Sequence, residues 1–121
     1  YFLGLAEAIG GESGNRDYEF YIAEEDRKKA EGILSGCRMA GGAKIAAINP
    51  GGNWDPKRWP VENFARLADS LIEKLRYSIV ITGAEKDIPL AEKILSLMNH
   101  GAVVLCGKTS IRELAAIFER T

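Results

Sequence analysis

The fold is decided by the segment Lys44-Ile45-Ala46-Ala47-Ile48-Asn49-Pro50-Gly51-Gly52-Asn53-Trp54-Asp55-Pro56-Lys57-Arg58-Trp59-Pro60. A short apolar run leads into a loop with two adjacent glycines and two adjacent cations, and a periodic helix begins near Val61. Glycine lets a backbone approach a ligand closely because it has no Cβ. The first turn of a helix adds unpaired N–H groups and a partial positive charge, which favour phosphate. The segment therefore predicts a strand, an anion-binding loop and a helix.

Two further units of strand and helix follow this segment. The predicted strands cover residues 45–49, 78–82 and 102–105. All three are apolar and β-branched without polar alternation, as expected for parallel strands that are covered on both faces. Alternating strands and helices with short connections predict an α/β fold with a doubly wound parallel sheet and right-handed crossovers.

Each helix that follows a strand has one apolar face. Pro60 is predicted at the first helical position, where its missing N–H costs nothing. Ser110 and Glu113 predict a capping box, in which each side chain satisfies a backbone donor of the other residue. The predicted buried residues are Val61, Phe64, Leu67, Ala68, Leu71, Ile72 and Leu75 in the first helix, Leu90, Ile94, Leu97 and Met98 in the second, and Ile111, Leu114, Ala115 and Phe118 in the third.

The N-terminal part of the chain predicts two more helices. Apolar residues at helical spacing over 2–9 are followed by Gly10 and Gly11, which end the first helix. Residues 12–17 read as a loop and residues 18–22 as a short extended segment. Three acidic residues at 24–26 open the second helix, because acids favour its positive N-terminal end. The predicted apolar stripe of this helix is Ala30, Ile33, Leu34 and Cys37.

The composition is that of an ordinary soluble domain, with 121 residues, 46% hydrophobic and 27% charged. A chain of this length forms one domain and buries roughly two-thirds of its unfolded surface. The net charge of −1 argues against broad binding to nucleic acid. No apolar run approaches the ~20 residues that span a bilayer, and no signal peptide is visible. Because the chain opens on Tyr1 and stops at Thr121, where a helix is finishing, we expect it to be part of a longer protein.

Several signatures of other protein classes do not occur in the sequence. Neither Gly-x-x-x-x-Gly-Lys-Ser/Thr nor Gly-x-Gly-x-x-Gly after a strand is present. His100 is the single histidine and lies at a predicted helix end beside Gly101. No Ser-His-Asp set or zinc cluster is predicted, and a structural or solvated role is expected for His100. Cys37 and Cys106 do not form a metal-site pattern and are expected to be buried free thiols in a reducing compartment. No metal site is predicted.

The carboxyl ends of the three strands are the expected place for a ligand, because open α/β sheets bind ligands there. In the first loop, Lys57 or Arg58 can add a full charge to an anion site. The same residues also suit a turn with a solvated cationic pair. Trp59 is expected to pack against the domain, whereas Trp54 could cover a nucleotide or fold back onto the domain.

The loops after the second and third strands carry further candidate residues. Glu85 can accept hydrogen bonds from both hydroxyls of a ribose, as an acid does in dinucleotide-binding sheets. Alternatively Glu85, like Asp87, merely favours the N-terminal end of the next helix. In the third loop Thr109 and the neighbouring backbone lie where a base could dock. Ser110 is explained by capping alone, and Lys108 is expected to be solvated.

Taken together, these motifs resemble those of glycosyltransferase family 9, the heptosyltransferases that transfer a heptose from ADP-heptose during lipopolysaccharide core synthesis. The resemblance runs without a break from about Lys44 to the end of the chain, and the order and spacing of its pieces make it specific. The matching pieces are Asn49-Pro50-Gly51-Gly52-Asn53-Trp54, Lys57-Arg58-Trp59-Pro60, Phe64-Ala65-Arg66-Leu67-Ala68, Ile79-Val80-Ile81-Thr82-Gly83-Ala84-Glu85 and Leu105-Cys106-Gly107-Lys108-Thr109-Ser110-Ile111-Arg112-Glu113-Leu114.

The resemblance implies a GT-B architecture, in which two Rossmann-like domains face each other across a cleft. Residues 1–42 would form an interdomain connection with two helices. Residues 43–121 would form a truncated Rossmann-like domain that binds the nucleotide sugar, as part of the C-terminal half of the enzyme.

The resemblance also implies roles for individual residues. Asn53 and Lys57 would hold the diphosphate. Gly51 and Gly52 are further candidate substrate-binding residues on their own chemistry, because a backbone without Cβ can come close to a ligand. Glu85 would bind the ribose, and the backbone near Thr109 would line the adenine pocket. In the family a Ser or Thr hydroxyl often stands at position 53, but the NH₂ group of an asparagine can still donate to phosphate.

The activity that the resemblance implies belongs to the longer protein. It is an inverting displacement without a metal or other cofactor, with an ADP-sugar donor and a lipopolysaccharide core acceptor. No catalytic residue is expected in this chain, because the base would come from the N-terminal domain and an Asp-Ser-Gly-type loop with a histidine would lie beyond Thr121. The chain alone should therefore be inactive. The implied location is cytoplasmic, with at most peripheral association at the inner face of the cytoplasmic membrane and no nucleic-acid partner.

Two other functions stay open at this point. One is a GT-B transferase that uses another nucleotide sugar, which a preference for uridine or guanosine nucleotides would reveal. The other is a Rossmann-like module that binds a nucleotide, metabolite or partner without catalysis. A longer protein that lacks both a preceding domain and a following Asp-Ser-Gly loop would favour this second alternative.

Overall fold

The computed structural model describes residues 2–11, 20–36, 44–52 and 58–121. In order along the chain, the elements are α1 (Phe2–Ala8), α2 (Glu24–Gly36), β1 (Ile45–Ile48), α3 (Val61–Leu75), β2 (Ser78–Ile81), a 3₁₀ turn (Glu85–Asp87), α4 (Ile88–Leu97), β3 (Val103–Val104) and α5 (Ile111–Phe118). The predicted alternation of strand and helix is confirmed. Residues 20–22 of the predicted extended segment are not in a strand, and residues 18–19 lie outside the described part. Among the described helices none is long and apolar enough to cross a membrane.

The three strands form a parallel sheet in the order β1-β2-β3. In its register Ile48 pairs with Ile81, and Val80 pairs with Val103. The strands are shorter than predicted, because the chain turns into loops at the ends of β1 and β2. The hydrogen bonds nevertheless continue beyond them: the N–H of Thr82 donates to the carbonyl of Ile48 at 2.9 Å.

Helices cover both faces of the sheet. Because successive strand residues point to opposite faces, the buried strand side chains divide between two clusters. The cluster shared with α2 and α5 contains Ala30, Leu34, Ile45, Val80, Leu105, Ala116 and Ile117. The cluster shared with α3 and α4 contains Ile48, Ala65, Ala68, Ile79, Ile81, Ala91, Ile94 and Cys106. Burial on both faces explains why the strands lack polar alternation, and the doubly wound parallel sheet is confirmed.

Helix α2 packs along α5 on the first of these faces. Arg27 donates from Nε and Nη2 to the two carboxylate oxygens of Glu119, at 2.8 and 3.0 Å. Lys29 Nζ lies 3.7 Å from Oε1 of Glu113. The division of the chain into 1–42 and 43–121 stays a prediction. Of the two cysteines, Cys106 is a buried free thiol, and Cys37 lies outside the described residues.

The start of α3 differs from the prediction. Pro60 is the N-cap residue, with φ −56° and ψ 139°, so it precedes the helix and Val61 takes the first helical position. The carbonyl of Pro60 accepts the N–H groups of Asn63 and Phe64 at 3.0 and 3.3 Å. This non-helical ψ is the usual conformation of a residue whose carbonyl starts the helical hydrogen bonds.

The buried faces of the helices are partly rotated from the predicted ones. The prediction of burial is wrong for Leu67, Leu75, Leu97, Ile111 and Phe118, which are exposed. In α5 the fully buried residues are instead Ala116 and Ile117. The reason is the position of α2, which covers the face of α5 that carries Ala116 and Ile117. As a result Ile111 is 76% exposed.

Candidate functional site

A cleft of about 550 Å³ opens at the carboxyl ends of the three strands. The loops that leave β1, β2 and β3 contribute to it, together with the first turn of α5. The described residues that line it are Asn49, Gly51, Gly52, Gly83, Ala84, Lys86, Asp87, Thr109, Ser110, Ile111 and Leu114. This is the edge at which parallel α/β sheets bind ligands.

The loop after β1 is held by two hydrogen bonds among its described residues. Oδ1 of Asn49 accepts the N–H of Gly51 at 3.2 Å, which closes a short side-chain turn. Arg58 Nη2 donates to the carbonyl of Gly52 at 2.6 Å. Arg58 therefore ties together the two described ends of the loop, on either side of residues 53–57. Among the described residues, a β-carbon on Gly52 would meet Cγ of Arg58 at 3.8 Å, which is an ordinary contact distance.

The turn after β2 places a buried carboxylate in the cleft. Asp87 is only 6% exposed, and its Oδ2 accepts the N–H of Ala84 at 2.9 Å. A β-carbon on Gly51 would lie 2.8 Å from Oδ2 of Asp87, and one on Gly83 would lie 3.0 Å from the same atom. A side chain at position 51 would therefore displace the carboxylate, and one at position 83 would be tight against it. We define the floor of the cleft as Gly51, Gly83 and Asp87.

The role of Asp87 is the main feature that sequence reasoning missed. From the sequence alone, Asp87 is predicted only to be an acid that favours the N-terminal end of a helix. The available signal was its spacing from Ala84, because an aspartate commonly accepts a backbone N–H close to it in sequence. Its packing against Gly51 depends on the tertiary fold and has no local signal.

The loop after β3 rests on the turn after β2. Gly107 has φ +68°, a conformation that favours glycine, and its N–H donates to the carbonyl of Gly83 at 3.0 Å. A β-carbon on Gly107 would lie 3.1 Å from Cα of Glu85. The close approach of these two backbones sets the position of Glu85 relative to the third loop.

The capping box at the start of α5 is confirmed. The N–H of Ser110 donates to Oε2 of Glu113 at 2.8 Å, and Oγ of Ser110 accepts the N–H of Glu113 at 3.2 Å. The hydrogen bond from the Ser110 backbone lowers the pKa of Glu113. Capping occupies the hydroxyl of Ser110. The hydroxyl that can contact a ligand at this end of the cleft is therefore that of Thr109, whose side chain is partly buried.

A second titratable group lies under the floor. Cys106 is fully buried, and its Sγ would be 3.2 Å from a β-carbon on Gly83. Burial raises the pKa of the Cys106 thiol, and the negative charge of Asp87 raises it further. The thiol is therefore a neutral packing group beneath the carboxylate.

The cleft brings together only some of the predicted site residues. Gly51, Gly52 and Thr109 line it. Glu85 is exposed and, among the described residues, is outside the lining set, at the start of the 3₁₀ turn. Asn53 and Lys57 lie outside the described residues.

The structure tests the prediction for one of the two tryptophans in the first loop. Trp59 packs against Phe64 in an edge-to-face arrangement, with ring centroids 5.0 Å apart and an interplanar angle of 82°. The predicted packing role of Trp59 is therefore confirmed. Trp54 lies outside the described residues.

Comparison with known proteins identifies the family. The sequence profile of glycosyltransferase family 9 (heptosyltransferase) matches residues 2–121. The chain belongs to this family. The resemblance that the motifs predicted is confirmed, and it also includes the N-terminal residues that the motifs did not cover.

Two curated heptosyltransferases resemble the chain over most of its length. Lipopolysaccharide core heptosyltransferase OpsX of Haemophilus influenzae is 24% identical over 121 residues, which are 98% of this chain and 33% of the relative. Lipooligosaccharide heptosyltransferase 2 of the same species is 31% identical over 101 residues, which are 77% of this chain and 29% of the relative. The chain thus spans about a third of the length of these relatives.

Solved structures of the family share the fold. A family 9 glycosyl transferase from Veillonella parvula DSM 2008 has a TM-score of 0.89 at 28% identity, over 98% of this chain and 35% of that chain. The E. coli ADP-heptose lps heptosyltransferase II has a TM-score of 0.70 at 22% identity, over 84% of this chain and 31% of that chain. The predicted α/β fold class, that of the GT-B-like neighbours, is confirmed.

Proposed function

We propose that this chain is the part of an inverting heptosyltransferase that binds ADP-heptose, the donor whose heptose is transferred to the lipopolysaccharide inner core. The observation that carries the proposal is the position of the cleft, where the loops after all three strands meet in a chain of glycosyltransferase family 9. Its volume of about 550 Å³ lies within the usual range of ligand pockets, roughly 300–1,000 Å³. The parent protein is taken to be a longer polypeptide that contains these 121 residues.

The donor would lie across the cleft from the first loop to the third. The diphosphate would be held by the backbone of Gly52 and by Asn53 and Lys57. Support comes from the described surroundings of Gly52, in which a β-carbon would be no closer than 3.8 Å to Cγ of Arg58. The adenine would lie near Thr109, where Ile111 and Leu114 add apolar surface to the lining. Glu85 would reach the ribose from the edge of the cleft.

The chemistry of the parent would be a single displacement at the anomeric carbon of the heptose. A hydroxyl of the acceptor attacks that carbon while the bond to the diphosphate oxygen breaks, and a base outside this chain takes the hydroxyl proton. Negative charge then grows on the departing diphosphate. Lys57 and the backbone N–H groups of the first loop would stabilise this charge, because groups already in place act most strongly where charge develops.

We propose that this arrangement needs no metal ion or other cofactor, and that the parent acts in the cytoplasm. There the ADP-sugar would be the soluble partner. The lipopolysaccharide core would be the acceptor, with at most peripheral contact at the inner face of the cytoplasmic membrane.

Calorimetric titration of the parent protein with ADP, UDP and GDP tests the proposal. ADP should bind most tightly, and Thr109→Trp should abolish its binding by filling the cleft. Ser96→Trp is the control, because Ser96 lies on the exposed face of α4. A preference for UDP or GDP would favour a transferase with another donor. If the wild-type parent binds none of the three nucleotides, the proposal fails. The alternative that then stays open is a non-catalytic module that binds another metabolite or a partner.

A further inference from the structure

The proposed function does not use the buried carboxylate in the floor of the cleft. Within the described part of the chain, Asp87 accepts one hydrogen bond, from the N–H of Ala84 to Oδ2. Oδ1 therefore keeps its lone pairs for another donor. The side chain is more than nine-tenths buried, yet it lines the cleft.

The charge of Asp87 decides which part of a ligand can lie beside it. A phosphate group next to a buried carboxylate is repelled, and the repulsion is strong because a partly desolvated site screens charges weakly. A hydroxyl group can instead donate to the carboxylate in a charge-assisted hydrogen bond. The floor therefore favours a hydroxyl and disfavours a phosphate.

Because of where Asp87 lies, the preference for a hydroxyl over a phosphate applies beside Gly51 in the first loop. Its carboxylate occupies the space against Gly51, whereas among the described residues a β-carbon on Gly52 would meet Cγ of Arg58 at an ordinary contact distance of 3.8 Å. The described cation in the lining, Lys86, is exposed. The negative charge of Asp87 thus lies at the floor, against Gly51.

We propose that Asp87 is a specificity-determining residue: it accepts a sugar hydroxyl of the donor at the floor of the cleft and keeps the diphosphate away from Gly51. The inference rests on the proposed function, because it assumes that a nucleotide sugar enters this cleft. The hydroxyl belongs either to the ribose or to the transferred sugar, and both offer the same chemistry to the carboxylate.

The test compares Asp87→Asn with wild type in the parent protein, by calorimetry with ADP, 2′,3′-dideoxy-ADP, ADP-heptose and inorganic pyrophosphate. Asparagine keeps the shape and an acceptor for Ala84 but removes the charge. Glu92→Gln is the matched control, since it makes the same charge change on the exposed side of α4. Asp87→Ser is the second neutral variant if the asparagine variant does not fold.

Ligands whose hydroxyl meets Asp87 should bind the variant about tenfold more weakly, because a charge-assisted hydrogen bond becomes a neutral one. Pyrophosphate should bind the variant at least as tightly as the wild type. If the ribose supplies the hydroxyl, ADP loses affinity and dideoxy-ADP does not. If the transferred sugar supplies it, only ADP-heptose loses affinity.

Two results would overturn the inference. One is an equal loss for every ligand including pyrophosphate, which is what a purely structural bond to Ala84 would give. The other is unchanged affinity for all four ligands. Failure of ADP to bind the wild-type parent is a different outcome, because it removes the proposed function as well. The inference alone fails when the wild type binds ADP and the variant shows either of the first two patterns.

Discussion

Gly51 and the carboxylate of Asp87 are in contact across the floor of the cleft. A β-carbon on residue 51 would lie 2.8 Å from Oδ2, 2.9 Å from Cγ and 3.0 Å from Oδ1 of Asp87. Glycine at position 51 therefore allows the backbone to lie directly against the carboxylate of Asp87. It joins the loop after β1 to the turn after β2, so that one side chain sets the distance between two walls of the cleft.

Gly51→Ala should lower the free energy of unfolding by about 1–3 kcal/mol, the usual cost of an overpacked site. Denaturant unfolding followed by circular dichroism measures this change. Gly52→Ala is the matched control and should stay within about 0.5 kcal/mol of the wild type, because among the described residues its β-carbon would meet Cγ of Arg58 at an ordinary 3.8 Å. Equal losses in the two variants would show that the contact with Asp87 does not determine the effect.

The capping box should make the stability of α5 depend on pH. The backbone N–H of Ser110 lowers the pKa of Glu113 in the folded state. A carboxyl group of this kind stabilises the fold above its unfolded pKa, and the contribution is lost as the pH falls through the folded value. Glu113→Gln should therefore be less stable than the wild type at pH 7, and the difference should shrink below about pH 4.5.

Urea unfolding at several pH values measures this dependence. Ser110→Ala, which removes the other half of the box, should cost about 1 kcal/mol at pH 7. Glu92→Gln is the control for the loss of a carboxylate on an exposed helix face. A stability difference for Glu113→Gln that does not change between pH 7 and pH 3 would contradict the assigned role.

Asp69 should be among the polar residues on which stability depends most. It is only 7% exposed and accepts the N–H groups of Asn99 and His100 at 2.9 and 3.1 Å, as well as Nδ2 of Asn99 at 3.1 Å. Asp69→Ala leaves these donors without their acceptor, and hydrogen bonds to charged groups contribute about 1.5–3 kcal/mol. We expect a loss of about 2–3 kcal/mol in the free energy of unfolding.

The control for Asp69 is another acid on the same helix. Glu73 lies 3.0 Å from Nε2 of His100, but both side chains are largely exposed. Exposed ion pairs contribute about 0–1 kcal/mol, so Glu73→Gln should have a small effect by the same unfolding assay. An effect as large as that of Asp69→Ala would show that burial does not separate the two acids.

The sequence predicted the elements that depend on local patterns. The strands followed from short apolar runs, and the start of α5 followed from the spacing of Ser110 and Glu113. The buried face of α5 could not be predicted because it depends on where α2 packs, and Ile111 is exposed for that reason. The floor of the cleft could not be predicted either, since Gly51 and Asp87 are distant in sequence and meet only through the pairing of β1 with β2.

Lys57→Ala in the parent protein should weaken ADP binding by about 1.5–3 kcal/mol, the range for a hydrogen bond to a charged group. The position follows from the family motif, since Lys57 lies outside the described residues. Calorimetry measures the dissociation constant, with Lys74→Ala as a control near the exposed end of α3. An unchanged dissociation constant for Lys57→Ala would indicate a solvated lysine.

Glu85→Ala in the parent should raise the KM for the donor, because the carboxylate is proposed to accept hydrogen bonds from the ribose. The backbone around Glu85 is fixed by the neighbouring Gly107, whose β-carbon would lie 3.1 Å from Cα of Glu85. The side chain is exposed, so the substitution should change the melting temperature little. Steady-state kinetics with the donor and with its 2′,3′-dideoxyribose analogue separates a ribose contact from a general effect. A contact with the ribose predicts that the loss disappears with the analogue, whereas an equal loss for both donors would mean that Glu85 acts elsewhere.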